Sequence, residues 1–396
     1  MQWKNYFYLI FIVSIFLTGN SYADANDYNI CATNADGAIL VDEKDGDNTS
    51  FALASSPTSF TLEKNDDPDN GGYCEVTPDN YKIKMFKMGL CTEDPFDSDY
   101  DDSASNTIGA DLSSCTNIFD NASGKEINLQ PGVEVNLLDD DIILPIGTFP
   151  YIYALLDNVI QIKHIQEYTA APGARDFNIR GYHPTVSDGS AGTGKWCYTG
   201  LTGAQKKFVF TQAQERQFSG FTTLRGYTLP TMYSGRQTTA GFHCGTEAEA
   251  NAGNDWFINI VDNFGEGMAT GNNNGLPTGR TAANFRNAFE NDRGFHNDFP
   301  TIKQGYYLYN SNNTPAISSQ TAERILFIQN DSNNVVNITE NTVGFKLNFK
   351  TNNAIEVGVQ EESGSNDEVL QATMINGGTI FINIQTKTRR ARGAWR

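Results

Sequence analysis

Two acidic tracts hold the side chains best suited to chemistry. Asp67-x-Asp69-Asn70-Gly71 and Asp97-x-Asp99-x-Asp101 place oxygen donors at alternate positions, the spacing by which calcium loops gather hard ligands. Neither completes an EF-hand: the first lacks a closing glutamate and the second a central glycine. Asp67, Asp69, Asp97, Asp99 and Asp101 are therefore expected to take Ca²⁺ weakly at extracellular concentrations, or else to form solvated acidic loops.

A second stretch, Gly189-Ser190-Ala191-Gly192-Thr193-Gly194-Lys195, has the G-x-x-x-x-G-K spacing of a phosphate loop. Trp196 stands where Ser or Thr would hold Mg²⁺, and no apolar strand precedes the motif, so a glycine-rich turn is expected. The four histidines, His164, His183, His243 and His296, include no H-E-x-x-H pair, and G-x-S-x-G is absent. Carboxylates are numerous enough for a glycosidase pair, but any acidic protein has them. No catalytic residue is assigned, and enzymatic activity, in the form of a secreted hydrolase, is only a third reading. His243 beside Cys244 suggests a metal site, against which stands the lack of any C-x-x-C pair. Trp196, Tyr198 and Trp256 form a candidate stacking platform for sugars, with core packing as the alternative.

The positioning elements begin with export. MQWKNYFYLIFIVSIFLTGNSYA carries one charge, Lys4, an apolar run from Tyr6 to Leu17, and Ser21 and Ala23 spaced for cleavage before Asp24. That run is shorter than the ~20 apolar residues of a membrane span. A signal peptide over residues 1–23 is expected, with no transmembrane segment after it and a destination outside the cell, on its surface or in a periplasm. Six cysteines follow the signal, an even number that reads as three disulfides in an exported chain. Proximity favours Cys31 with Cys74, Cys91 with Cys115, and Cys197 with Cys244, each stabilising by ~3 to 4 kcal/mol in the chain-entropy model. A net charge of −19 and a pI near 4.5 exclude nucleic acid as a general partner.

"TPDNYKIKMFKMGLC", Thr77 to Cys91, reads equally as a capped helix or as a strand. On a helix its apolar residues fall on opposite sides, leaving no stripe. On a strand Tyr81, Ile83 and Met85 face one way and Lys82 and Lys84 the other, while Phe86, Met88 and Leu90 run one residue out of phase. One β-bulge near Met85 and Phe86 repairs the register, and Thr77–Asn80 becomes a turn. Short β-branched and aromatic runs then follow between turn signals: "TNIF", the turn "DNASGK", "EINL", "IILPIGTF", "PYIYALL" and "VIQIKHIQEY". Neither face of the last is purely apolar, which predicts a place near a sheet edge.

Leu144-Pro145-Ile146-Gly147-Thr148-Phe149, followed by Tyr151, Tyr153 and Leu155, resembles the L-P-x-G-x-[YF] strand opening of prealbumin-like and Cna-B-like β-sandwich modules of bacterial surface proteins. The resemblance spans about a dozen residues. It implies a Greek-key sandwich without enzymatic activity, and the family's internal crosslink has no matching motif here.

The expected fold is all-β, mainly a Greek-key-like sandwich, with a large loop-rich region stapled by Cys197 and Cys244. The expected division is a signal at 1–23, a sandwich domain at 24–168, and a loop-rich region leading into a C-terminal β domain at 169–396. "NDWFINIVDNF" is predicted as a strand there and "TAANFRNAFEN" as one short helix. The function this favours is structural or adhesive at a cell surface, through self-assembly or other surface proteins. Assembly by strand exchange would use Asp24–Leu40 or Thr379–Lys387. A carbohydrate-binding module with glycan partners is the alternative.

Overall fold

The computed structural model describes residues 30–42, 62–63, 72–95, 110–131, 144–174, 176–181, 192–200, 209–211, 223–225, 227–228, 243–260, 302–314, 322–352, 354–361, 369–377 and 380–388. Strands run in chain order as β1 (Ile39–Asp42), β2 (Leu62–Glu63), β3 (Gly72–Val76), β4 (Asn80–Cys91), β5 (Cys115–Leu129), β6 (Gly147–Phe149), β7 (Tyr151–Asp157), β8 (Val159–Lys163) and β9 (Ile165–Ala170). Next come β10 (Asn178–Arg180), β11 (Thr193–Gly194), β12 (Trp196–Tyr198), β13 (Val209–Thr211), β14 (Thr223–Leu224), β15 (Tyr227–Thr228), β16 (His243–Gly245), the helix α1 (Glu247–Gly253) and β17 (Phe257–Ile260). The remainder are β18 (Ile302–Tyr309), β19 (Arg324–Asp331), β20 (Val336–Ile338), β21 (Thr342–Lys350), β22 (Ile355–Glu361), β23 (Val369–Gly377) and β24 (Phe381–Thr388). The protein is all-β, as its sequence predicts.

Strand β4 sits at the centre of the largest sheet. Tyr81, Ile83 and Met85 are buried, Lys82 and Lys84 are half-exposed, and beyond the shift Met88 and Leu90 are buried again. The first of two register shifts against β5 falls where the one bulge is expected, and the second, between Met88 and Gly89, has no counterpart in the sequence reading. Met85 pairs with Lys125 and Lys87 with Asp120, so Phe86 faces four residues of β5. That extra length lets both apolar sets reach one core, at about 1.5 to 3 kcal/mol for each large side chain removed from water. "DNASGK", expected as a turn, instead lies within the continuous β5, absorbed into this irregularity.

One edge of β4 pairs with β5 throughout. The other pairs first with β8 and then with β7. Residues 151–163 therefore form one bent ribbon, and its outer edge branches: β7 accepts β19 and then β18, while β8 accepts β17 and then β13. Beyond His164 the same run continues as β9 into a second sheet, of order β16-β12-β9-β1-β2. "VIQIKHIQEY" therefore lies inside two sheets and at the edge of neither. Its polar residues have specific uses: Ile160, Ile162, His164, Gln166 and Tyr168 are all buried, and the Gln166 amide donates to Gly37 O and Glu167 O at 3.2 and 2.7 Å.

Backbone pairing crosses residue 168 repeatedly. Strand β3 pairs with β22, β6 with β20, β7 with β19, and β9 with β12. The "LPIGTFPYIY" segment bends at Pro150, so that β6 pairs outside the main sheet and β7 within it. Of the proposed donor segments, Asp24–Leu40 supplies only Ile39 and Leu40 to β1, which pairs with β9 and β2, and Thr379–Lys387 supplies most of β24, which pairs with β21, while 24–29 and 379 lie outside the described residues.

The helix α1 stands where the sequence pattern predicts none. Thr246 caps α1 and accepts from the Glu249 N–H, while the Glu249 carboxylate accepts from the Thr246 N–H at 2.8 Å, a reciprocal capping box. "TAANFRNAFEN", Thr281 to Asn291, lies outside the described residues.

Candidate functional site

All three disulfides join the predicted partners. Cys31–Cys74, Cys91–Cys115 and Cys197–Cys244 have Cα–Cα distances of 4.9, 3.9 and 4.0 Å. Cys91 faces Cys115 and Cys197 faces Cys244 directly across paired strands. The bond to Cys197 removes Cys244 as a metal ligand, so the His243–Cys244 pair is not a thiolate site. Among the described residues no group of three or more His, Cys, Asp or Glu is arranged to hold a metal. Asp67, Asp69, Asp97, Asp99 and Asp101 lie outside the described residues, as do Gly189, Ser190 and Ala191.

The rest of the glycine-rich motif is accounted for by packing. Gly192, at φ +76°, and Gly194 lie against β16, where an added Cβ would meet Cys244 O at 2.2 Å and Gly245 O at 2.0 Å. Close backbone approach therefore requires glycine at both positions.

Two histidines stand where the second sheet meets the first. The backbone N–H of His164 donates to Thr199 Oγ1 at 2.9 Å, and its Nδ1 lies 3.6 Å from Asp79 Oδ2. The threonine hydroxyl thus serves the His164 backbone rather than lying in a nucleophile–base alignment with the ring. Burial alone raises the Asp79 carboxyl, but the His164 ring and the Ile165 N–H, which donates at 2.8 Å, hold it below its ordinary value. His243 is buried beside Tyr198, ring centroids 5.8 Å apart, and burial pushes its imidazole below its ordinary value.

Below about pH 6.5 the unfolded chain takes up a proton at His243 that the folded chain refuses, so stability present above that pH is lost as pH falls toward the lower folded value. The melting temperature is expected to fall between pH 7.5 and 5.5, and less steeply in His243→Asn. An equally steep fall in that variant would assign the loss to other groups.

The three aromatic candidates differ in exposure. Tyr198 is buried against His243 and beneath Gly253, and Trp196 is half-exposed opposite Glu167 and Gly245. Trp256, half-exposed just before β17, lies 4.3 Å from Lys82 Nζ in a cation–π contact.

That contact adjoins a cleft of about 190 Å³ whose walls include Lys82, Lys84, Glu126, Asp157, Gln161 and Arg225. Lys82 and Lys84 alternate on the outer face of β4, with Gln161 opposite Lys82 and Glu126 opposite Lys84. Arg225 closes one end. It pairs with Asp157 at 3.2 Å, donates to Glu323 O at 2.7 Å and hydrogen-bonds the buried Asn158. These contacts pin the bend between β7 and β8, and they offset the roughly 1 kcal/mol or more that a non-glycine residue costs in the left-handed region, where Arg225 has φ 54°. The outward Lys82 and Lys84 are legible in the sequence but the site is not, because Gln161 and Asp157 join them through sheet pairing and Arg225 through side-chain contacts to Asp157, Asn158 and Glu323. A paired-lysine face in an acidic chain was the available clue.

The chain is thus an all-β, disulfide-clamped protein with a charged cleft on its largest sheet. Comparison with family models, curated proteins and solved structures yields no significant match to it. Three disulfides are compatible with an oxidising extracellular environment, and among the described residues no helix is long and apolar enough to cross a membrane.

Proposed function

We propose that this is an exported structural or adhesive protein of the cell surface, acting by contact rather than by chemistry. The observation that carries the reading is the frame itself. An eight-stranded branched sheet joins a second sheet through one continuous run, 151–170, and disulfides clamp both. Such a frame holds surface side chains rigidly, as a binding face requires. Assembly through faces is favoured over strand exchange, because Ile39–Leu40 and β24, the described strand portions of the two candidate donor segments, are already paired within the chain.

A carbohydrate-binding role is the second reading, favoured by Trp256 beside a polar cleft. The test takes the chain from Asp24 through size-exclusion light scattering and electron microscopy, with and without millimolar Ca²⁺, and measures its retention on cell-surface material. Ordered oligomers, filaments or retention are expected. A monomer retained on no such material overturns the proposal.

A further inference from the structure

The cleft carries an imbalance of charge that its ion pairs do not cancel. Three cations, Lys82, Lys84 and Arg225, face two carboxylates, Glu126 and Asp157. In strand register Glu126 stands opposite Lys84, yet its carboxylate reaches diagonally to Lys82 at 3.3 Å. Asp157 is engaged by Arg225 at 3.2 Å. Both acids are occupied, and among the described residues Lys84 has no carboxylate within ion-pair distance. Its ammonium stands 5.4 Å from the Phe86 ring, which also carries the Arg324 guanidinium at 3.8 Å. In a chain of net charge −19, the described residues therefore leave one ammonium without a carboxylate partner at one recessed point.

We infer that this cleft takes the carboxylate of an acidic sugar, a uronic-acid unit of a polysaccharide, with Lys84 as the recognising cation. The inference rests on the binding role proposed above and names the ligand class. At about 190 Å³ the cleft lies below the range of roughly 300 to 1,000 Å³ typical of pockets for larger ligands. A single ring fits that space better than a folded or extended partner. Glu126 and Asp157 can only accept hydrogen bonds, while Gln161 both donates and accepts. Sugar hydroxyls satisfy both kinds of partner, and a carboxylate on the same ring answers Lys84 with a charge-assisted bond. Trp256 stands beside the cleft, with the Lys82 ammonium over its ring, and is not one of the walls. The acidic remainder of the chain does not prevent this, since screening confines exposed charge to about 8 Å at physiological salt.

The test is calorimetric titration of the chain from Asp24 with oligogalacturonate, with a neutral galactose oligomer of equal length, and with an oligoglutamate peptide. Oligogalacturonate is expected to bind at least ~10-fold tighter than either of the others, and Lys84→Gln to weaken it by a similar factor. Lys346→Gln, on an exposed position of β21, is expected to leave binding unchanged, and unchanged melting of both variants excludes a folding defect.

Equal affinity for neutral and acidic oligomers overturns acid recognition while leaving carbohydrate binding in place. Tighter peptide binding replaces the sugar with an acidic protein segment. Binding that survives Lys84→Gln places the site elsewhere. No binding of any probe removes the inference, and the assembly and retention results judge the surface role separately.

Discussion

Alanine at position 194 is expected to destabilise the protein by about 3 kcal/mol or more, beyond the usual range for a single methyl group. The new Cβ would lie 2.0 Å from Gly245 O and 2.3 Å from Gly245 C, atoms of a paired backbone that cannot swing aside as a side-chain tip can. Relief requires β11 to separate from β16, and β16 is itself paired to β12 and bonded to it through Cys197–Cys244. Lys195→Ala, next door, removes an exposed pairing with Asp176 and a cation–π contact with Phe177 at 5.3 Å and is expected to change stability little. Urea denaturation of the two variants decides the matter. Equal, small effects would mean that β11 and β16 can part at little cost, and that their close approach does not demand glycine.

Loss of the Cys197–Cys244 bond has the second large expected effect. The double variant Cys197→Ala/Cys244→Ala is expected to lose about 2 to 5 kcal/mol. The bond closes a separation of 47 residues, and both sulfurs are buried. Cys91–Cys115 closes 24 residues, so the same model makes its removal cheaper by only about half a kcal/mol. Both double variants are to be measured by denaturant unfolding under non-reducing conditions. A loss under about 1 kcal/mol at Cys197–Cys244 would show that the pairing of β12 with β9 and β16 already supplies the constraint.

Some of this architecture was legible without coordinates because it is encoded over a few neighbouring residues. Period-two alternation in "YKIKMFKMGL", with one phase slip, suffices to place the strand and the first of its two register shifts. The disulfide partners followed from proximity along the chain. The reading of "VIQIKHIQEY" erred because polar residues on a strand suggest solvent, whereas His164 and Gln166 are buried among partners supplied by distant segments. "DNASGK" has turn composition, but a strand with a long irregularity accommodates those residues without reversing the chain. The helix α1 had its sign in Thr246 and Glu249, three residues apart, though its few apolar residues gave it no periodic stripe.

Alternation, cysteine spacing and turn chemistry act locally, and they suffice for the β class, the disulfide pairing and the first of the two register shifts in β4. Tertiary structure alone decided the cleft. Lys82, Lys84, Glu126, Asp157, Gln161 and Arg225 span residues 82 to 225, and β4, β5 and the bent ribbon bring most of them side by side. Which carboxylate answers which lysine depends on diagonal reach across that sheet. No periodicity along the chain specifies such a choice, since the energies that settle it arise only between strands already paired.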